Sequence, residues 1–226
     1  MFNDQHVKSV LKRFFPASAI RCLEEAQTKF IALQKCQKYA DASLAPRRLA
    51  VNVDGWPIPP AGLFVVEERT VYLRSTTAMT VCHEAGHALD CALGGGFYLS
   101  GVDPRIRRAF LSATAFVTPY AASGCNEYFA EAVRAWTGAN NTLSLWPRAT
   151  RERLQSVDPR MAEIVAKLFA EIDGKYAVEG EQMHLGYHER CSRSPRTSRR
   201  ILWRTRQHGP RHGASQRTRS HPNLHR

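Results

Sequence analysis

The segment TVCHEAGHALD, residues 80–90, contains two histidines four residues apart, with a glutamate directly after the first. On a helix predicted over 77–93, His83 and His87 share a face, because residues at i and i+4 lie about 5–6 Å apart at Cβ. Both imidazoles could then bind one ion with Zn–N bonds of about 2.0–2.1 Å. Glu84 can reach a water at the metal without being a ligand, which is the H-E-x-x-H arrangement of zinc peptidases.

Two histidines need a further protein ligand to make a catalytic zinc site. The extended pattern H-E-x-x-H-x-x-G-x-x-H would place a glycine and a histidine where this chain has Asp90 and Leu93. Asp90 lies one turn beyond His87 on the same helix, where it is better placed to orient a histidine than to complete a tetrahedron. This leaves a carboxylate from a separate helix.

The segment NEYFAEAVRAW, residues 126–136, supplies such a carboxylate. Glu127 and Glu131 lie four residues apart on a predicted helix, away from its apolar face, and like charges at this spacing repel each other. Either both are solvated, with Arg134 as a counter-charge, or Glu127 binds zinc while Glu131 holds a histidine ligand in place. This helix alone does not decide between them, but Glu127 with the two histidines makes the His₂Glu set of a major class of zinc hydrolases.

Two blocks of the sequence, HEAGHALD at 83–90 and YAASGCNEYFAEAVR at 120–134, carry a family resemblance. They resemble the metallopeptidase domain of anthrax lethal factor and its relatives, which include the Pro-Pro endopeptidases. In that family a tyrosine precedes the glutamate ligand by seven residues, and the glutamate opens an E-[FY]-F-A-E-A stretch. Tyr120 and Glu127 have this spacing, and the resemblance is strongest over 77–137.

The resemblance implies a zincin-like (gluzincin) fold and a zinc metalloendopeptidase that hydrolyses peptide bonds with a zinc-activated water. It assigns the roles as follows: one zinc per chain bound by His83, His87 and Glu127, Glu84 as catalytic base, Tyr120 as transition-state donor and Glu131 as support for a ligand. The expected partner is a protein or peptide substrate. The alternative is a zincin-like protein that binds its partner without cutting it, against which the intact Glu84 argues.

The remaining segments predict an α+β fold, with a small N-terminal sheet before the active-site helix and the glutamate helix. Apolar periodicity and capping residues predict the other helices, over 3–15, 17–40 and 158–173, and from Asp103–Pro104 onward. Short strands are expected within 47–60 and in a hairpin over 63–74 that turns at Glu67–Glu68–Arg69. We expect the strand TVYLR, 70–74, to be the edge on which an extended substrate pairs.

The net charge of +12 comes almost entirely from the C-terminal end. Residues 190–226 contain eleven arginines and no Asp, Glu or Lys, whereas residues 1–189 carry 21 basic and 20 acidic side chains. A segment with so little apolar content is expected to be disordered. It could bind nucleic acid through counterion release, but its lone tryptophan gives little for base stacking. Disorder or an out-of-frame extension is the favoured interpretation.

These observations predict an N-terminal helical segment over 1–45, a zincin-like metallopeptidase domain over 46–175, and a linker and Arg-rich tail over 176–226. No apolar run approaches the ~18 residues of a membrane-spanning helix, and the start lacks the apolar stretch of a secretory signal. The expected location is cytoplasmic, with secretion by a non-standard route as the family's alternative. The six cysteines have no C-x-x-C spacing and are expected to be mostly reduced.

Overall fold

A three-stranded sheet supports the centre of the protein in the computed structural model, which describes residues 1–43, 52–140 and 148–192, and side chains up to residue 177. The strands are β1 (Lys29–Ala32), β2 (Gly62–Val65) and β3 (Thr70–Leu73), in the order β1-β3-β2. β3 pairs in parallel with β1 and antiparallel with β2. All four residues of β3 are buried, as expected for a central strand.

Helices make up most of the rest of the described chain. They are α1 (Gln5–Phe14), α2 (Ala17–Glu25), α3 (Tyr39–Ala42), α4 (Ala78–Leu93), α5 (Leu99–Val102), α6 (Pro104–Ser112), α7 (Cys125–Thr137), α8 (Arg151–Val157) and α9 (Pro159–Ser192). Short 3₁₀ turns occupy Val53–Gly55, Val66–Glu68 and Pro119–Ser123. The predicted α+β class is confirmed. No helix of the described residues is long and apolar enough to cross a membrane.

Helix α4 lies at the centre of the packing. It contacts α7 along its length, and it also packs against β2, β3, α1 and α2. Its buried stripe contains Val81, Ala85 and Leu89, as its apolar spacing predicts. Because successive residues of a strand point to opposite faces, Val71 joins this main core while Tyr72 joins a smaller cluster on the other face of the sheet.

The local signals for several elements predicted them correctly. The helix expected from Asp103–Pro104 begins there, with the Asp103 carboxylate accepting from the amide of Arg105. The hairpin turns at the predicted place, since Arg69 ends the turn in the left-handed region with φ of 48°. The helices predicted over 3–15, 77–93 and 126–136 also form within one or two residues of those bounds.

The helix predicted over 17–40 is wrong beyond Glu25. Gln27 adopts a φ of 58° and donates its amide to the carbonyl of Glu24, which ends α2. The chain then enters β1, where Phe30 and Ile31 suit a pleated strand. Its partner, β3, begins some forty residues later, and no helical period can reveal a partner at that distance.

The strands expected within 47–60 are absent from the part that the structure describes, residues 52–60. Val53–Gly55 is a 3₁₀ turn in which the side chain of Asn52 accepts from the amide of Gly55. Three prolines between positions 57 and 60 lack the N–H that a strand ladder needs. Residues 47–51 lie outside the described residues.

The C-terminal helix is longer than predicted. α9 runs from Pro159 to Ser192 rather than ending at 173. The sequence has no proline in 160–192 that would end the helix earlier. The chain divides into two units, Met1–Leu185 and Gly186–Arg226, and the second is described only as helix up to Ser192. Of the tail predicted to be disordered, 190–226, residues 190–192 belong to α9 and 193–226 lie outside the described residues. The predicted boundaries at 45 and 175 stay predictions.

Replacing Gly86 with alanine tests the close crossing of α4 and α7. A Cβ at this position would lie 2.9 Å from Cα of Ala130, a backbone atom that cannot move without its helix. Overpacking of this kind costs about 1–3 kcal/mol, more than the gain of up to about 1 kcal/mol that alanine brings to a helix interior. We expect Gly86→Ala to lower the free energy of unfolding in urea by about 1–2 kcal/mol.

Gly101→Ala is the matched control, because its added Cβ would meet no atom within 4 Å. If Gly86→Ala unfolded at the same urea concentration as Gly101→Ala, the two helices would not be in the tight contact described.

Candidate metal centre

Three side chains converge between α4 and α7. The Nε2 atoms of His83 and His87 are 3.2 Å apart, and each lies 3.1 Å from Oε2 of Glu127. Two tetrahedral ligand atoms at about 2.0–2.1 Å from zinc are about 3.3–3.4 Å apart. The observed spacing is close to this value, so the three atoms fit one face of such a site. Among the described residues, the side chains of His83, His87 and Glu127 form the group that could hold a metal ion.

Helix ends and one close contact position these ligands. Thr77 caps α4 by accepting from the amide of Thr80, which starts the helix six residues before His83. Glu127 lies in the first turn of α7, which begins after Gly124. Because Gly86 has no side chain, α7 approaches α4 closely enough for a short carboxylate to reach both imidazoles.

The carboxylate of Glu131 is buried and accepts four hydrogen bonds. Oε1 accepts from Nδ1 of His83 and from Nε of Arg134, both at 2.8 Å. Oε2 accepts from Nη2 of Arg134 at 2.7 Å and from Oγ1 of Thr118 at 2.5 Å. The bond to Nδ1 fixes the ring of His83 and leaves Nε2 as the atom that can bind a cation. Arg134, only 2% exposed, is the buried counter-charge of Glu131 and not a solvated one.

The site holds two ionised carboxylates, which are paired with cationic side chains. Burial opposes the charged form of Glu127, but hydrogen bonds from His83 and His87 outweigh it and lower the pKa of Glu127 to about 2. Burial also disfavours ionised Glu131, yet bonds with His83 and Arg134 hold its pKa well below the usual range. Burial disfavours the charged form of His83, but its hydrogen bonds with Glu127 and Glu131 outweigh burial and raise the pKa of His83 to about 10. A divalent cation would replace that proton as the partner of the carboxylates.

Glu84 lies on the sheet side of the cluster. It is 6% exposed, and burial raises the pKa of its carboxyl, partly offset by the nearby histidines. The backbone amide of Phe64 in β2 lies on this side of Glu84 and lowers the pKa of the carboxyl, against the effect of burial. A Cβ at Gly62 would lie 2.5 Å from Cγ of Glu84, so the absence of a side chain at the start of β2 makes room for this glutamate.

Tyr120 lies at the rim of the cluster, in the turn Pro119–Ser123. Its ring centroid is 5.6 Å from that of His83, and the residue is 43% exposed. Burial of its hydroxyl, the charges of Glu127 and Glu84 and a hydrogen bond with Glu127 raise the pKa of Tyr120 to about 12. The phenol therefore keeps its proton at neutral pH and can donate it in a hydrogen bond.

Among the described residues, Asp90 makes no direct hydrogen bond to a histidine, contrary to the expectation from its place on α4. Its Oδ1 accepts from the amide of Ser100 at 2.8 Å and its Oδ2 from the hydroxyl at 2.6 Å. Nδ1 of His87 is buried without a hydrogen-bond partner among the described protein atoms. The loop after Gly94 brings Ser100 back to α4, a contact that spacing along the helix does not show.

The strand TVYLR is likewise not the edge of the sheet. It corresponds to β3, which has a neighbour on both sides, and the strand with an open side next to Glu84 is β2. Strand order is set by tertiary packing, so the strand nearest in sequence to the active-site helix need not be the nearest to the site.

Sequence reasoning missed two residues of the site. Thr118, fully buried, joins Glu131 to the turn that carries Tyr120. Tyr98 packs beside His87, with ring centroids 5.8 Å apart. A signal for Thr118 was present: Thr-Pro is a cap followed by a first-turn proline, the same signal that predicts α6.

The fold and this cluster together describe an α+β protein with a His₂Glu group that could hold a metal ion. In structure, the chain is similar to a Pro-Pro endopeptidase from Paenibacillus alvei, with a TM-score of 0.50 and 22% identity, over 72% of this chain and 88% of that one. No protein-family model matches the chain, and no curated protein matches its sequence. At this identity the similarity shows the fold alone.

The exchange Asp90→Asn tests what Asp90 does. Burial raises the pKa of Asp90 to about 6, above the value of about 3.9 in an unfolded chain. Ionising it in the folded protein therefore lowers stability as the pH rises from about 4 through 6. An asparagine can accept from the amide of Ser100 through Oδ1 and donate to its hydroxyl oxygen through Nδ2, and it removes this penalty. The stability of Asp90→Asn relative to wild type should rise by about 2–3 kcal/mol between pH 4 and 7.

Urea unfolding of the metal-free protein at several pH values measures this difference. Zinc affinity should stay unchanged in Asp90→Asn. A loss of zinc affinity of tenfold or more would restore the role of Asp90 in orienting a histidine.

Proposed function

We propose that the protein is a zinc-dependent metalloendopeptidase with a zincin-like fold of the lethal factor type. The observation that carries the proposal is the 3.1–3.2 Å triangle formed by His83, His87 and Glu127. A His₂Glu set is typical of catalytic zinc sites, which keep one position open for water or substrate. The similarity of the fold to a Pro-Pro endopeptidase supports the same class of reaction.

In this proposal, bound zinc would polarise the scissile carbonyl and make a water molecule acidic at neutral pH. Glu84 takes the proton of the attacking water and passes it to the leaving amine. Its burial favours the protonated form, which helps it to accept that proton. Tyr120 donates a hydrogen bond to the oxyanion as it develops, and its raised pKa keeps the donor proton in place.

The outer edge of β2 is the proposed binding edge for the substrate. Within the described residues, β2 pairs with β3 alone, and the amide of Phe64 on its other side points to Glu84. An extended peptide can add to an open edge by main-chain hydrogen bonds. Such a peptide would run past Glu84 and the metal ligands. Peptides with consecutive prolines are the first class to test, given the structural neighbour.

The exchange Glu84→Gln separates catalysis from metal binding. Glutamine keeps the size of the side chain but cannot take a proton, and loss of a general base lowers turnover by about 10²–10⁴-fold. We expect Glu84→Gln to retain one zinc per chain and to lose hydrolysis by that factor. The measurement is mass spectrometry of a peptide library, with peptides containing Pro-Pro, digested with and without chelator, beside elemental analysis.

Glu163→Gln is the matched control, because Glu163 is exposed and pairs only with Lys167 on α9 among the described contacts. Unchanged hydrolysis in Glu84→Gln, or a loss of its zinc, would contradict the assignment. Intact zinc binding with no cleavage of any peptide by the wild type would favour a protein that binds without cutting.

The exchange Tyr120→Phe tests the oxyanion donor. Removing one such donor lowers kcat by about 10²–10³-fold, while KM should change little because the bond forms mainly in the transition state. Zinc content should match the wild type. Tyr176→Phe, which removes a buried tyrosine's bond to Glu25 far along α9, is the control and should keep wild-type kcat. A wild-type kcat in Tyr120→Phe would leave the oxyanion donor unidentified.

A further inference from the structure

The hydroxyl of Thr118 makes two hydrogen bonds in a fully buried position. It donates to Oε2 of Glu131 at 2.5 Å. It also accepts from the amide of Ala121 at 3.3 Å, which caps the turn Pro119–Ser123. One oxygen atom therefore connects the turn that carries Tyr120 to the carboxylate that holds His83.

The position of Glu131 is fixed by its other partners. Arg134 donates to both of its oxygens, and Nδ1 of His83 donates to Oε1. Arg134 in turn donates from Nη1 to the carbonyl of Ala139 and to Asn140. A shift of Glu131 would break these bonds or move the ring of His83, so the Thr118 hydroxyl is attached to a rigid group.

The turn has other attachments as well, since it packs against α7 and Tyr120 has a hydrogen bond with Glu127. Immediately before it, the carbonyl of Val117 accepts from Nε of Arg153 at 3.0 Å. Within it, the hydroxyl of Ser123 donates to the carbonyl of Tyr120, a bond inside the turn. Among these attachments, the hydroxyl of Thr118 is the one that joins the turn to Glu131, and through Glu131 to Nδ1 of His83.

We propose that Thr118 is a positioning residue, which through Glu131 keeps the ring of His83 and the turn of Tyr120 in one fixed geometry. The expected effect of Thr118 on kcat rests on the proposed function, whereas its expected effect on zinc affinity rests on metal binding alone. A cap that only stabilised the turn would need an acceptor for the amide of Ala121. The hydroxyl of Thr118 also donates a hydrogen bond to Glu131, whose carboxylate contacts the candidate ligand His83.

Thr118→Val tests this role, because valine keeps the shape of threonine and removes both hydrogen bonds. We expect zinc affinity, measured by chelator competition, to fall by about tenfold, the lower end of the range for residues that support a metal ligand. kcat should fall about 10–100-fold with KM near the wild-type value, since the oxyanion donor is misplaced. Thr118→Ser keeps the hydroxyl and should restore most of both losses.

Thr150→Val is the matched control. Thr150 caps α8 by accepting from the backbone amide of Arg153 at 3.1 Å, so its loss costs a similar cap without removing a bond to Glu131 or to the amide of Ala121. It should lower the melting temperature as Thr118→Val does, without changing zinc affinity or kcat. A Thr118→Val protein that behaves like Thr150→Val would overturn the proposal.

The double variant with Tyr120→Phe tests whether Thr118 acts through Tyr120. If it does, Thr118→Val should cost less than threefold in kcat once the Tyr120 hydroxyl is gone, because residues that act as a unit are not additive. Additive losses would overturn the coupling to Tyr120. If the wild type cleaves no peptide, the proposed function fails, and the zinc affinities of Thr118→Val, Thr118→Ser and Thr150→Val alone decide whether Thr118 supports His83 through Glu131.

Discussion

A single buried charge, the carboxylate of Glu131, is the interaction around which the candidate site is arranged. An ionised carboxylate in the interior is stable only when its oxygens are satisfied, and here an arginine, a histidine and a threonine satisfy them. Removing one partner from a buried ion pair costs about 3–5 kcal/mol, because the other charge is left uncompensated. The groups that stabilise the Glu131 carboxylate in the fold therefore also fix the orientation of the His83 imidazole.

The helix crossing makes this arrangement possible. Glu127 and Glu131 reach the two histidines from α7 only because Gly86 lets the helices approach to backbone contact with Ala130. The two glutamates contact different atoms of the histidines. Glu127, at the start of α7, faces the Nε2 atoms, and Glu131, one turn later, faces the Nδ1 atom on the far side of the His83 ring.

The sequence predicted what depends on local spacing. The i, i+4 histidines, the caps of α4 and α6 and the hairpin turn are all short-range features, and they form as expected. The roles of Glu127 and Glu131 remained open from the residues alone, because a solvated pair and a metal-facing pair have the same helical period. The structure brings Glu127 to the histidines and places Glu131 behind His83, and metal loading remains the test of these roles.

Three of the errors concern partners distant in the chain. The sequence predicts a helix at β1 because the pairing of β1 with β3 is long-range, and it predicts an edge at β3 because the residues of one strand do not show the strand order. It predicts a histidine as the partner of Asp90 because Ser100 returns to Asp90 only through a loop. Each local pattern was satisfied equally well by the wrong partner, and only tertiary packing selects the right one.

The short length of β2 has a consequence for self-association. An open sheet edge exposes main-chain groups that can pair with the same edge of another molecule. The outer side of β1 is partly covered by the bridge between Phe2 and Phe30, so among the described strands β2 is the more open one. It has four residues, with Pro59 and Pro60 shortly before it and a 3₁₀ turn directly after it. At about 3.3 Å per residue it offers about 13 Å of pairing, enough to engage a short flexible segment but too little to join two folded molecules edge to edge.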